Sequence, residues 1–137
     1  MEDFLGKEYI LLSNENFDDY LAFIGISYFS RKVAISLKPV QCLVRNGDGT
    51  YTFSFKSKFA NSEATFIPGE DFVETKADGV KVKALITLEG NKMTHIQIER
   101  NGRTSKHVRE FFNDKLIVTT TADGFDKIST RVYELKR

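Results

Sequence analysis

The sequence predicts an all-β domain, a ten-stranded antiparallel up-and-down barrel with a two-helix lid between the first and second strands. Turn signals of the Asn46-Gly47 and Pro68-Gly69 kind recur at nearly regular spacing from residue 46 onward. The segments between the turns alternate apolar and polar residues, and a single helical stretch interrupts them at residues 14–37. Ten strands in a chain of this length usually close on themselves.

A period of two marks the strands. Aromatic residues alternate with hydroxyl-bearing residues from Tyr51 to Phe55, and apolar residues recur at every second position in residues 80–88. Such strands have one apolar and one polar face. The ten strands are predicted at residues 7–12, 40–46, 50–57, 62–67, 71–76, 80–88, 92–99, 103–112, 115–122 and 127–135.

The first helix is predicted from apolar residues at i, i+3, i+4 and i+7 between Phe17 and Ile24. Ser13 or Asn14 can cap its N-terminus, and Gly25 follows its last apolar residue. Because no sheet partner is left for a helix inserted once into a closed meander, we expect this segment to cover the end of the barrel.

A second short helix is predicted directly after the first. It begins near Ser27, carries apolar residues at i, i+4 and i+8 from Phe29 to Leu37, and stops before Pro39. The two helices together form the predicted lid.

Length and composition indicate one soluble domain spanning residues 1–137. Of the 137 residues, 41% are hydrophobic and 28% charged, which is typical of neither disordered nor membrane-embedded chains. A formal charge of +1 supplies no strong field for nucleic acid, so no nucleic-acid partner is expected. The acidic N-terminus differs from a signal peptide, and the single cysteine, Cys42, excludes an internal disulfide, so we expect a cytoplasmic protein.

No motif indicates catalysis or a cofactor. The sequence contains no Gly-x-Ser-x-Gly elbow, no phosphate-binding Gly-x-x-x-x-Gly-Lys loop and no His-Glu-x-x-His pair. His95 and His107 cannot complete a zinc cluster with one cysteine. We therefore expect neither an enzyme, nor a metal site, nor a cofactor. The unusual feature is twelve Phe and five Tyr without Trp, an amount of aromatic surface that must line something.

Two strands carry the residues that suggest binding chemistry. Arg131 and Tyr133 are two residues apart and share a face of one strand, and His107, Arg109 and Phe111 share a face of another. If these faces point inward, two guanidiniums and a phenol converge in a low-dielectric interior, where a ligand carboxylate would match them. From spacing alone, a solvent-exposed face with incidental ion pairs remains the alternative.

Ordered motifs along nearly the whole chain resemble the intracellular lipid-binding proteins, the cytosolic fatty-acid-binding and retinoid-binding proteins. The closing Arg-x-Tyr is the most specific of these motifs. The chain departs from the family at Tyr9, where a Trp is common, and at Val80, where many members carry Arg. The motifs are Phe4-Leu5-Gly6-Lys7, Asn14-Glu15-Asn16-Phe17-Asp18-Asp19-Tyr20-Leu21, Ile24-Gly25-Ile26, Arg31-Lys32-Val33-Ala34, Phe59-Ala60-Asn61-Ser62-Glu63, Pro68-Gly69-Glu70-Asp71-Phe72, Ala77-Asp78-Gly79, Val108-Arg109-Glu110-Phe111 and Ser129-Thr130-Arg131-Val132-Tyr133.

The resemblance implies roles for individual residues. Arg109, Arg131 and Tyr133 fall on the positions that bind the ligand carboxylate. The positions that line the cavity or its mouth are Phe17, Tyr20, Leu21, Ala34, Leu37, Pro39, Ala77, Asp78, His107, Val118 and Thr120. The portal positions are Phe29, Phe59, Arg31 and Lys32.

The resemblance also implies a function. We expect a monomeric intracellular carrier that binds a long-chain fatty acid inside the barrel and meets acidic membranes transiently. A retinoic-acid carrier of the same fold is the alternative, since retinol-binding members have uncharged residues at the arginine positions. A secreted lipocalin would need a signal peptide and usually a disulfide, and we identify neither in the sequence.

Overall fold

The computed structural model describes all 137 residues and contains one ten-stranded antiparallel sheet. The strand order is β4-β3-β2-β1-β10-β9-β8-β7-β6-β5, so every consecutive pair is hydrogen-bonded except β4 and β5. The predicted up-and-down barrel is confirmed and is nearly closed. The strands are β1 (Glu8–Glu15), β2 (Val40–Arg45), β3 (Tyr51–Lys56), β4 (Asn61–Phe66), β5 (Phe72–Thr75), β6 (Lys81–Glu89), β7 (Lys92–Ile98), β8 (Thr104–Phe111), β9 (Lys115–Ala122) and β10 (Ser129–Leu135).

Two helices lie between β1 and β2, as predicted. They are α1 (Phe17–Phe23) and α2 (Tyr28–Ser36), and neither is long and apolar enough to cross a membrane. The Ser27 hydroxyl caps α2 by accepting a hydrogen bond from the Ser30 amide at 3.3 Å. Between the helices Gly25 adopts φ +94°, a left-handed conformation that favours glycine at the end of a helix.

The predicted cap of α1 was wrong because β1 is longer than expected. Strand β1 continues to Glu15, which pairs with Thr130 of β10, so Ser13 and Asn14 belong to the sheet. The residue that precedes α1 is Asn16, in a left-handed conformation with φ 61°. Its side-chain amide donates to the Ile128 carbonyl at 3.0 Å, and this bond attaches the start of the helix to the barrel.

The hydrophobic core fills the end of the barrel away from the helices. Tyr9, Ile86, Met93, Leu116 and Tyr133 are completely buried there. Tyr9, at the position where the sequence departs from the resembled family, lies edge-on to an aromatic neighbour and donates its hydroxyl to the carbonyl oxygen of residue 112 at 3.1 Å. Because this end is packed solid, any cavity must lie on the side of the helices.

We expect Ile86→Ala to lower the free energy of unfolding by about 2–5 kcal/mol, because it leaves a cavity in a fully buried site. Val73→Ala, at a strand position that is 72% exposed, is the control and should change stability by less than about 0.5 kcal/mol. Urea unfolding of the two variants checks the assignment. Equal losses would mean that the core does not lie at this end.

Candidate ligand-binding site

A cavity of about 430 Å³ lies between the helices and the core. Its mouth is formed by the helices together with the β3–β4 and β5–β6 connections, and its inner end by inward-facing residues of β7, β8 and β10. The wall near the helices is mainly apolar, and the inner end is polar. The apolar lining includes Phe17, Leu21, Ile24, Val33, Leu37, Phe53 and Phe55.

The structure places the three predicted carboxylate-binding residues close to one another but not in equivalent positions. Arg109 and Arg131 line the cavity, and each is 7% exposed. Tyr133 lies behind them in the core, with its ring centroid 5.6 Å from the guanidinium carbon of Arg131. Gln41 of β2 joins the group, since its Nε2 donates to the Tyr133 hydroxyl at 2.8 Å and its Oε1 accepts from Arg109 Nε at 2.9 Å.

Arg109 is held by neutral groups. Its Nη1 donates to Nδ1 of His95 at 3.2 Å, and its guanidinium carbon lies 4.4 Å from the centroid of the Phe53 ring. None of the six ion pairs of the protein that involve lysine or arginine contains Arg109 or Arg131.

A buried carboxylate follows His95 in this network. Glu74 of β5 accepts from His95 Nε2 at 2.6 Å and from Gln97 Nε2 at 3.1 and 3.2 Å, and only 12% of its side chain is exposed. Burial alone would raise the pKa of Glu74, but these hydrogen bonds and the charge of Arg109 outweigh it and lower the pKa. Glu74 is therefore ionised at neutral pH.

The hydrogen bonds fix His95 as a neutral ring. Burial lowers the pKa of His95, the hydrogen bond to Glu74 opposes that effect, and the charge of Arg109 reinforces it. A neutral ring with its proton on Nε2 donates to Glu74 and accepts from Arg109 on Nδ1, which matches both contacts. His95 thus connects a cation to an anion without a charge of its own.

His107 continues the same network from β8. Its Nε2 lies 2.7 Å from Gln97 Oε1, and its Nδ1 lies 2.7 Å from the Thr120 hydroxyl. Since the Gln97 amide nitrogen donates to Glu74, its oxygen must accept, so His107 carries its proton on Nε2 and accepts from Thr120. Burial, followed by the nearby His95 and Arg109, holds the pKa of His107 well below its usual range.

Arg131 has a different environment. Its Nε donates to Asn14 Oδ1 at 2.8 Å, and its guanidinium carbon lies 3.8 Å from the centroid of the Phe17 ring of α1. No carboxylate of the protein is hydrogen-bonded to it. Burial lowers the pKa of Arg131, and it lowers that of Arg109 to about 10, so both guanidiniums are charged at neutral pH.

Most predicted cavity residues line the cavity. Two of them, both on β9, do not, because their side chains lie behind neighbouring residues that separate them from the cavity. Thr120 is buried behind His107, and Val118 is paired in the sheet with both Arg109 and Arg131, whose longer side chains extend past it. The predicted residues found in the lining are Phe17, Tyr20, Leu21, Ala34, Leu37, Pro39, Ala77, Asp78 and His107.

The four predicted portal residues have different surroundings. Phe59 lines the mouth and is 70% exposed, whereas Phe29 and Lys32 lie outside the cavity on the surface of α2. Arg31 does not line the cavity, and its guanidinium donates to the Asp18 carboxylate at 3.0 Å and to the Ile26 carbonyl at 2.8 Å. Arg31 therefore connects α2 to α1.

The predicted site residues do not include Asn14, Gln41, Glu74 or Gln97, and His95 was considered only as a metal ligand. A signal was present in β7, where Met93, His95 and Gln97 alternate with outward-facing residues. For Glu74 there was no such signal, because four-residue β5 is too short to show a period. No group of three His, Cys, Asp or Glu side chains is placed to hold a metal ion.

The fold and the site define a lidded binding barrel with a polar inner end. The chain belongs to the lipocalin / cytosolic fatty-acid binding protein family, whose model matches residues 6–134. It is 37% identical over 131 residues to a fatty acid-binding protein of Tyrophagus putrescentiae, covering 95% of this chain and 96% of the relative.

Solved structures agree with this assignment. A fatty acid-binding protein from the brain of Drosophila melanogaster has a TM-score of 0.87 at 38% identity, covering 96% of this chain and 98% of that one. A Schistosoma mansoni fatty acid binding protein in complex with arachidonic acid has a TM-score of 0.90 at 30% identity, covering 100% and 98%. The family confirms the prediction that the chain is a binding protein and not an enzyme.

The lowered pKa values of His95 and His107 predict acid sensitivity. In the unfolded chain these rings take up protons as the pH falls through about 6.5, whereas in the native state they stay neutral to lower pH. The free energy of unfolding should therefore fall as the pH decreases below about 6.5, and His107→Gln should reduce the slope. Urea unfolding at several pH values measures this slope. A native His107 that titrates near 6.5 by NMR would contradict the lowered pKa on which the prediction rests.

Proposed function

We propose that the protein is a cytosolic carrier that binds one long-chain fatty acid per monomer in this cavity. The observation that carries the proposal is Arg131, a buried cation that lines a largely apolar cavity and has no carboxylate partner. Leaving such a cation unpaired in a low-dielectric interior is costly. A ligand carboxylate offsets that cost and receives charge-assisted hydrogen bonds.

In the proposed complex, the three predicted head-group residues contribute unequally. Arg131 supplies the direct charge. Arg109 faces the same cavity, but part of its hydrogen-bonding capacity is taken by Gln41 and His95. Tyr133 acts through Gln41, because it lies in the core and does not line the cavity.

The apolar wall supports a long hydrocarbon tail. Burying a sixteen-carbon chain at about 0.8 kcal/mol per methylene contributes on the order of 12 kcal/mol before association costs are subtracted. One charge-assisted hydrogen bond contributes roughly 1.5–3 kcal/mol. Tail burial thus sets most of the affinity, and the guanidinium selects the head group and its orientation.

The related proteins support a fatty acid rather than another apolar acid. The Tyrophagus putrescentiae and Drosophila melanogaster relatives are fatty acid-binding proteins, and the Schistosoma mansoni relative was solved with arachidonic acid. Retinoic acid presents the same carboxylate and remains the second ligand to test.

Calorimetry with delipidated protein should show binding of one oleate per chain, and the absence of heat and of displacement of a fluorescent fatty acid would overturn the proposal.

We expect Arg131→Ala to weaken oleate binding by about 10-fold to 100-fold, which corresponds to the loss of one charge-assisted hydrogen bond. Oleyl alcohol never makes that bond, so its affinity should change far less. Lys106→Ala removes an exposed cation of β8 and is the matched control. Equal losses for acid and alcohol would place the head group elsewhere.

We further propose that the carrier exchanges its ligand on contact with acidic membranes through α2. This helix carries exposed Tyr28, Phe29 and Lys32, and Phe59 is exposed across the mouth. Aromatic side chains suit the membrane interface, and the lysine matches anionic lipids. Arg31 is left out of this surface because its guanidinium is used inside the lid.

Lys32→Glu should slow fatty-acid transfer to acidic vesicles by about fivefold or more, since each basic residue near such a surface contributes about 1 kcal/mol. The equilibrium affinity for oleate should stay unchanged. Lys115→Glu, at the opposite end of the barrel, is the control and should transfer as the unmodified protein does. A transfer rate independent of vesicle concentration would show instead that the ligand leaves through water.

A further inference from the structure

Glu74 is the carboxylate that the protein itself contributes to the inner end of the cavity. The other charged residues of that end are Arg109 and Arg131. Three other charged residues line the cavity outside the inner end. Glu63 is exposed to solvent, and Lys76 and Asp78 pair with each other at 3.5 Å, so that their charges cancel. The inner end therefore holds two positive charges and one negative charge.

The order of the hydrogen bonds shows that the charge of Glu74 balances that of Arg109 and not that of Arg131. Arg109 donates to His95, and His95 donates to Glu74, so one anion and one cation stand at the two ends of a neutral ring. Gln97 holds Glu74 from a second direction, which keeps the carboxylate in the network. Arg131 stands outside this network, bonded only to the neutral Asn14.

We infer that Glu74 is a specificity-determining residue that restricts the cavity to ligands whose head group carries one negative charge. The inference rests on the proposed function, since it concerns the head group of the same ligand. One anion on Arg131 brings the inner end to neutrality. A second negative charge on the head group has no free cation, because the charge of Arg109 is already balanced by Glu74 through His95, and an uncompensated charge in this interior is costly.

The experiment uses two ligands that differ in head-group charge and little else. At pH 8 hexadecyl phosphate is a dianion, because the second pKa of a phosphate monoester is about 6, whereas hexadecyl methyl phosphate is a monoanion. The unmodified protein is expected to bind the methyl diester at least about tenfold more tightly than the monoester. Equal binding, or tighter binding of the dianion, overturns the inference without any variant.

Glu74→Gln tests the residue itself. It removes the charge and keeps the side-chain shape and an oxygen that can accept from His95, so we expect the preference for the monoanion to shrink by about tenfold or more. Glu134→Gln removes the charge of an exposed glutamate of β10 outside the cavity and should leave the preference within twofold. An unchanged preference in Glu74→Gln, or an equal change in Glu134→Gln, overturns the assignment.

A failure of the inference is distinguishable from a failure of the proposed function. If the unmodified protein binds oleate and Arg131→Ala weakens it, the proposed function stands whatever the phosphate ligands do. If oleate does not bind at all, the proposed function fails and the preference has no meaning for this site. Thermal unfolding of both glutamine variants establishes that the binding comparison is made on folded protein.

Discussion

The burial of two guanidiniums inside one barrel is the constraint on which the rest of the site depends. An arginine in a low-dielectric interior needs hydrogen-bond partners and a counter-charge, and the structure supplies both to Arg109 but only a neutral hydrogen-bond partner to Arg131. Arg109 receives amide, imidazole and, through the imidazole, carboxylate partners from β2, β7 and β5. Arg131 receives an amide oxygen and an aromatic face. Four strands and one helix thus contribute to holding two side chains.

The position of Phe17 connects this constraint to the lid. Phe17 is the first residue of α1, and its ring lies against the Arg131 guanidinium. Helix α1 is also attached to the barrel at both ends. At its start, Asn16 bonds the Ile128 carbonyl and Lys127 donates to the Asp19 carboxylate, and at its end Arg103 donates to the last two carbonyls. Helix α2 is attached mainly to α1, through Arg31. The geometry therefore makes α1 part of the binding site and leaves α2 and the facing Phe59 turn as the less restrained side of the mouth.

The sequence was sufficient for the fold because its signals are local. Each turn and each alternating strand is visible in a few residues, and nine strands end within one residue of the predicted position. The exception is β1, whose last residues pair with β10 more than a hundred positions away across a bulge between Leu11 and Ser13. The positions of Arg109 and Arg131 could be predicted in the same way, since inward faces follow from the period of two.

The polar network could not be predicted, because it depends on which side chains of distant strands reach the same point. Gln41, Glu74 and His95 are ordinary residues in their own segments, and only the closed barrel brings them to Arg109. The same closure makes Tyr133 part of the core rather than of the cavity lining, a distinction that strand periodicity cannot make. Residue type and spacing identify which side chains point inward. Only the structure shows how far along the barrel axis each of them lies, and therefore whether it belongs to the core or to the cavity.

The directions of the hydrogen bonds show that the polar groups of the inner end form two continuous chains. From Thr120 through His107 and Gln97 to Glu74, and from Arg109 through His95 to the same carboxylate, each donor meets an acceptor. Both chains end on Glu74, so rearranging either one would leave a buried polar group unpaired, at a cost of about 1–3 kcal/mol. A ligand that bonds Arg131 leaves both chains intact. A ligand that displaced His95 from Arg109 would have to offset that cost, which supports the proposal that the head group bonds Arg131.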